Sequence, residues 1–158
     1  MLFSELNQAF YDPRANYGDG APADLIKIND DQYLKFYESI NNNKRIYTSN
    51  GELLVSDQRP DKYHSWDSQK NEWVIDDDQL NQKHQDIIDS LKMKALSEVI
   101  RAGTQISIIS DRIELDDYSS EEDKANLSSS LIAWKKYRIA CNNVSNGTST
   151  ELPSPPDA

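Results

Sequence analysis

The chain has 158 residues and a formal net charge of −10, with 37% hydrophobic and 28% charged residues. That length suits one compact domain, or a small head joined to a helical extension. The excess of carboxylates argues against a phosphate-backbone binder, which needs clustered cations, and favours solubility.

Eight Tyr, three Trp and three Phe carry much of the apolar surface, each offering a large contact area at modest entropy cost. The single cysteine, Cys141, rules out an intramolecular disulfide framework and reads as a small semi-buried helix residue. Met1-Leu2-Phe3-Ser4-Glu5 lacks the basic start and apolar stretch of a signal peptide. No segment reaches the roughly 20 apolar residues needed to cross a bilayer. The sequon-like Asn126-Leu-Ser, Asn143-Val-Ser and Asn146-Gly-Thr then count as chance matches. The expectation is a protein made and used in a cytosol.

Residues 1–75 read as strands and turns. Leu2 to Glu5 and Ala9 to Tyr11 flank Asn7-Gln8 as a short hairpin, which Asp12-Pro13 stops. Tyr17-Gly-Asp-Gly-Ala-Pro22 is a loop, and Asp24-Leu-Ile-Lys-Ile28 a short strand. Asn29 with Gln32 forms a capping-box pattern ahead of a helix carrying Tyr33, Phe36, Tyr37 and Ile40 on one face. Asn41-Asn42-Asn43 ends it.

Asn50-Gly51 is the best local signal, because both residues tolerate the positive φ of a type I′ turn. It joins Arg45–Ser49 to Glu52–Ser56 and sets Thr48 opposite Leu53, Tyr47 opposite Leu54 and Ile46 opposite Val55. A second hairpin, Tyr63–Trp66 with Glu72–Ile75, turns at Asp67 to Asn71 and places Trp66 across from Trp73. That pair reads as cross-strand packing or as an exposed aromatic platform for a sugar or a partner.

At Asp76-Asp77-Asp78 the pattern becomes helical. Three carboxylates at a helix start favour the macrodipole; consecutive aspartates point different ways and do not make a metal cage. Leu91, Ala95, Val99, Ala102, Ile106, Ile109 and Ile113 form an apolar stripe along a helix of about 35 residues, roughly 50 Å. Ala95 and Ala102 let another helix approach closely. A helix so long needs its own return helix, a second copy or a partner against it.

Residues 111–123 hold seven carboxylates against Arg112 alone and read as the turn of a helical hairpin, with Ser119 and Glu122 as a capping box. The return helix runs to about Asn142, with Leu127, Leu131 and Trp134 on one face and Ile132 and Ile139 beside it. Trp134 and Arg138 are four apart, so the guanidinium can lie over the indole, or Arg138 can hold a carboxylate of the turn or the opposite helix. A Pro-rich tail follows.

The fold class expected is α+β. A β-rich head (1–75) with antiparallel hairpins and one short helix precedes a long helical hairpin (76–144, turn about 111–120) and an extended tail (145–158).

Catalytic and metal motifs are lacking. His64 and His84 have no cysteine or second histidine at ligand spacing, and there is no glycine-rich phosphate loop or Gly-x-Ser-x-Gly elbow. The expectation is a non-enzymatic protein without metal or cofactor.

Leu131-Ile-Ala-Trp-Lys-Lys-Tyr-Arg-Ile139, then Asn-Val and Leu152-Pro-Ser-Pro-Pro156, resembles the C-terminal signature of the bacteriophage tail-fibre assembly protein family, the tail-fibre chaperones. The N-terminus is similar too, in Phe3-Ser4, Asn7, Phe10-Tyr11 and Pro13, followed by a hairpin with Gly51. The chain departs from the family in having Leu152 where an aromatic is common, and in residues 76–113, which match little.

The resemblance implies a chaperone that helps a trimeric phage tail fibre fold and binds its receptor-binding C-terminal end, in the cytoplasm of the bacterial host. The alternative is an adhesion subunit retained on the virion fibre that binds host surface glycan. Neither role involves nucleic acid or a membrane. The head offers aromatics and edge strands for β-addition or flat contact, with Phe10, Tyr11, Trp66 and Trp73 as partner-binding candidates. Trp134, Tyr137 and Arg138 form the structural signature. The helical region organises the fibre or pairs two copies as a homodimer.

Overall fold

The computed structural model describes residues 1–156; the last two positions of the expected tail lie outside them. The chain divides into two compact units, Met1–Asn81 and the remainder from Gln82 onward. The fold is α+β, with small antiparallel sheets and a short helix first and a long helical hairpin after them.

In the first unit β1 (Leu2–Ser4) is the centre of a three-stranded antiparallel sheet, between β2 (Ala9–Tyr11) and β3 (Leu25–Lys27). Asp24 fastens the β1–β2 turn: its carboxylate accepts from the Ser4 hydroxyl at 2.7 Å and the Leu6 N–H at 2.8 Å. Those bonds, the Leu6 N–H foremost, hold its carboxyl below the ordinary range.

Helix α1 (Asp30–Asn41) starts at the expected capping box, the Asn29 side chain accepting from Gln32 N–H at 2.8 Å and Gln32 Oε1 from Asn29 N–H at 3.1 Å. Its Phe36 joins Phe3, Ile28 and Ile46 in the buried core, with Phe10, Tyr33, Ile40, Leu53 and Val55 packed around them.

Strands β4 (Lys44–Ser49) and β5 (Glu52–Gln58) pair in the expected register, Ile46 with Val55, Tyr47 with Leu54 and Thr48 with Leu53. Asn50 and Gly51 take φ of 52° and 82°, as a type I′ turn requires. Strands β6 (Ser65–Asp67) and β7 (Glu72–Val74) form the second ribbon, with Trp66 opposite Trp73. The ribbon begins later than expected. Tyr63 and His64 belong to a loop, because Asp61 Oδ1 takes the Tyr63 N–H at 2.9 Å and the His64 ring Nδ1 at 2.7 Å.

The second unit is built on α2 (Asp77–Glu114), whose first turn belongs to the first unit, and α3 (Glu121–Ser145). Asp76 caps α2 by accepting from Gln79 N–H at 2.7 Å, while Gln79 Oε1 takes the Asp76 N–H at 3.1 Å. The expected stripe is the buried face: Ala95, Ala102, Ile106 and Ile109 are buried and Val99 and Ile113 pack beside them. The return helix supplies Leu127, Trp134, Tyr137 and Cys141 against it.

Three local expectations change. Helix α2 runs through Glu114, so the turn is 115–120 rather than 111–120. It ends in a Schellman pattern, with Asp116 at φ 51°, Asp116 N–H bonded to Ile113 C=O and Asp117 N–H to Arg112 C=O. The α3 cap is Ser120 accepting from Asp123 N–H at 3.1 Å, not Ser119 with Glu122. Helix α3 continues past Asn142 to Ser145, where Gly147 at φ 82° closes a second Schellman pattern. Ile132 and Ile139 face solvent at 55% and 61% exposure, since a 3.6-residue period carries them away from the face of Trp134 and Cys141. No helix among the described residues is long and apolar enough to cross a membrane.

Candidate functional site

The head concentrates its aromatic side chains in two groups. In the first, Phe10 is half-buried, its ring 5.4 Å from Phe3 and edge-on to Tyr33 at 4.9 Å. Tyr37 continues the row at 54% exposure, 6.4 Å from Phe10. Tyr11 stands beside it on β2, half-buried, edge-on to Tyr17 at 5.2 Å, and its hydroxyl accepts from Asn7 Nδ2. The Phe10 ring thus completes the core and borders solvent at once.

The second group is built by the two ribbons. Pairing of β6 with β7 sets Trp66 edge-on to Trp73 at 5.2 Å, and Tyr47 from β4 closes on Trp66 at the same distance. Arg45 lies 5.9 Å from the Trp66 ring and Arg59 lies 5.7 Å from the Trp73 ring. The Trp73 indole N–H donates to the Asp57 carbonyl at 2.9 Å. Burial weakens the hold of Arg45 on its proton, and the Glu5 carboxylate opposes that. Beside these rings lies a hollow of about 490 Å³ whose walls include Val55, Asp57, Glu72 and both tryptophans. The structure therefore joins Trp66 with Trp73 in one cluster and Phe10 with the α1 tyrosines in another.

In the helical hairpin the signature residues divide. Trp134 and Tyr137 are buried and meet edge-on at 5.7 Å. The cation over Trp134 is Arg101 of α2 at 5.6 Å, not Arg138, which is exposed. A guanidinium from the facing helix reaches the inward side of the indole; Arg138, on the outer side of α3, does not. Arg101 also pairs with Glu98 at 3.1 Å, and Glu98 accepts the Tyr137 hydroxyl at 2.7 Å. No sequence spacing marks that contact between helices. Cys141 is fully buried, and burial pushes its thiol up, away from the reactive thiolate.

Chemistry is sparse. Among the described residues no group of three His, Cys, Asp or Glu side chains could hold a metal ion. The His64–Asp61 contact ties a loop whose carbonyls at Lys62 and His64 also receive the Arg59 guanidinium. The head thus presents two ring clusters and a hollow whose walls include Asp57 and Glu72. No family model matches the chain, and no curated protein or solved structure matches it.

Proposed function

We propose that the protein is a non-enzymatic chaperone for a trimeric bacteriophage tail fibre, acting on the fibre's receptor-binding C-terminal end. The observation that carries the reading is the signature Leu131-Ile-Ala-Trp-Lys-Lys-Tyr-Arg-Ile139 on the return helix of a two-part chain. Its Trp134 and Tyr137 are core residues of that hairpin, which gives a physical reason for the motif.

The need for such a helper follows from fibre topology. Three chains entwined through non-local β pairing close slowly and expose strand edges meanwhile. A negatively charged protein that covers those edges raises the yield of trimer without chemistry. The head supplies the contact through Phe10, Tyr11, Trp66 and Trp73, and the helical unit organises it or pairs two copies.

The test is co-expression of a candidate fibre with and without this protein, scoring soluble, heat-resistant trimer. Trimer that appears only with it supports the chaperone. A fibre that folds equally well alone removes the reading for that fibre and brings glycan binding by a fibre-borne subunit to first place.

A further inference from the structure

The β4–β5 ribbon has two outer edges, and the molecule treats them differently. A two-residue turn makes Ser49 and Glu52 a hydrogen-bonded pair, so the backbone groups of Ile46, Thr48, Leu53 and Val55 point outward. On the β4 side both Ile46 groups and the Thr48 N–H are occupied. The Gln8 carboxamide donates to the Ile46 carbonyl at 2.7 Å and accepts the Ile46 N–H at 2.9 Å. Glu5 Oε2 accepts from the Thr48 N–H at 2.9 Å and from its hydroxyl at 2.6 Å. Two side chains stand where a neighbouring strand would be.

On the β5 side no strand follows, because the sheet has two strands only. The strand reads Glu-Leu-Leu-Val-Ser-Asp-Gln, without the Lys or Pro by which natural edges discourage pairing. The hollow of about 490 Å³ flanks its second half, from Val55 to Gln58. Its walls carry the carboxylates of Asp57 and Glu72 and no Lys or Arg.

We propose that the outer edge of β5 accepts an extended peptide strand bearing Lys or Arg, bonded through the backbone of Leu53 and Val55. Main-chain bonds supply affinity in such strand addition, and the walls select the side chains. Exposed Lys70 lies 4.0 Å from Glu72, so Asp57 is the wall carboxylate left to favour a basic strand. A second copy of this chain fits poorly, since edge-to-edge pairing would bring Glu52 and Asp57 of both copies together. The site deepens the head contact proposed above, and rests on that reading only for the source of the strand, a segment of the fibre.

The experiment uses the isotope-labelled full chain, titrated with a short peptide of alternating lysine and threonine and followed by NMR amide exchange. Leu53 and Val55 amides should slow by about tenfold or more, while Leu54, already bonded to β4, stays unchanged. Replacing both wall carboxylates (Asp57→Lys with Glu72→Lys) should weaken binding by about tenfold or more. Binding that leaves Leu53 and Val55 unprotected overturns the proposal. So does no binding at millimolar peptide, or equal binding of a glutamate–threonine peptide. Fibre rescue without this protection sinks the strand site and leaves the chaperone standing; protection without rescue does the reverse.

Discussion

The Tyr137 hydroxyl on α3 donates a 2.7 Å hydrogen bond to Glu98 on α2. Glu98 is also paired with Arg101, Arg101 lies over Trp134, and Trp134 meets Tyr137 edge-on. Four side chains thus form a closed circuit between the helices. Tyr137→Phe keeps the ring and deletes only the donor, so it should cost about 1–2 kcal/mol. Trp134→Ala opens the core and should cost about 3–5 kcal/mol. Chemical denaturation of the two variants checks that ordering; equal losses would mean that ring packing is not what Trp134 contributes.

The same tyrosine sets an alkaline limit. Burial, and then the Glu98 bond, raise its folded pKa above the ordinary value. The unfolded chain therefore releases this proton first. The contribution is complete below the ordinary tyrosine value of about 10 and is lost as pH rises from there toward the raised folded value. The gap in Tm between wild type and Tyr137→Phe should narrow above about pH 10. A gap that stays constant with pH would show that Tyr137 ionises alike in both states.

An acid-side counterpart lies in the hairpin turn. The Asp123 carboxylate accepts from the Ser119 N–H at 3.0 Å and hydroxyl at 3.1 Å, which, with the Arg112 charge, holds it below the ordinary range. A depressed carboxyl stabilises above its unfolded pKa and ceases to as pH falls through the folded one. Asp123→Asn should lower Tm slightly at neutral pH, and the two proteins should converge as pH falls below the ordinary aspartate value of about 3.9. Thermal melts across that range decide it.

What the sequence disclosed follows from how local each determinant is. Asn50-Gly51 specifies its own turn, so the register of β4 and β5 was legible to the pair. The α1 cap was legible for the same reason. In the turn between α2 and α3, Ser119 and Ser120 both precede an acid by three residues, and only geometry shows that Ser120 caps while Ser119 binds the Asp123 carboxylate. Arg101 over Trp134 is a contact between helices, which a reading along α3 alone assigns to Arg138. The central place of β1 and the sealing of Ile46 by Gln8 are likewise contacts between distant residues that no local pattern encodes.

Close approach of the helices rests on small residues. Ala95 and Ala102 are fully buried, and Ala102 sits in the cluster with Trp134 and Cys141. Ala102→Leu must push the helices apart or force strained rotamers, costing about 1–3 kcal/mol. Exposed Ile132→Leu should leave stability within about 0.5 kcal/mol. Calorimetry on both variants tests whether the interhelical distance is as fixed as the burial implies.

Gln8 offers the last test, because its side chain replaces a strand. Its carboxamide satisfies both the N–H and the C=O of Ile46, whose own side chain is fully buried. Gln8→Ala leaves two backbone groups without protein partners, which costs about 1–3 kcal/mol if water does not reach them. Gln8→Glu keeps an acceptor for the N–H but loses the donor and sets a carboxylate against the carbonyl, so it should rescue little. Amide exchange at Ile46 reports the site directly. It should accelerate in both variants while Tyr47, bonded within the ribbon, holds its protection. Unchanged exchange at Ile46 would mean that the ribbon protects that amide without Gln8, and that the contrast between its two edges is not a property of the molecule in solution.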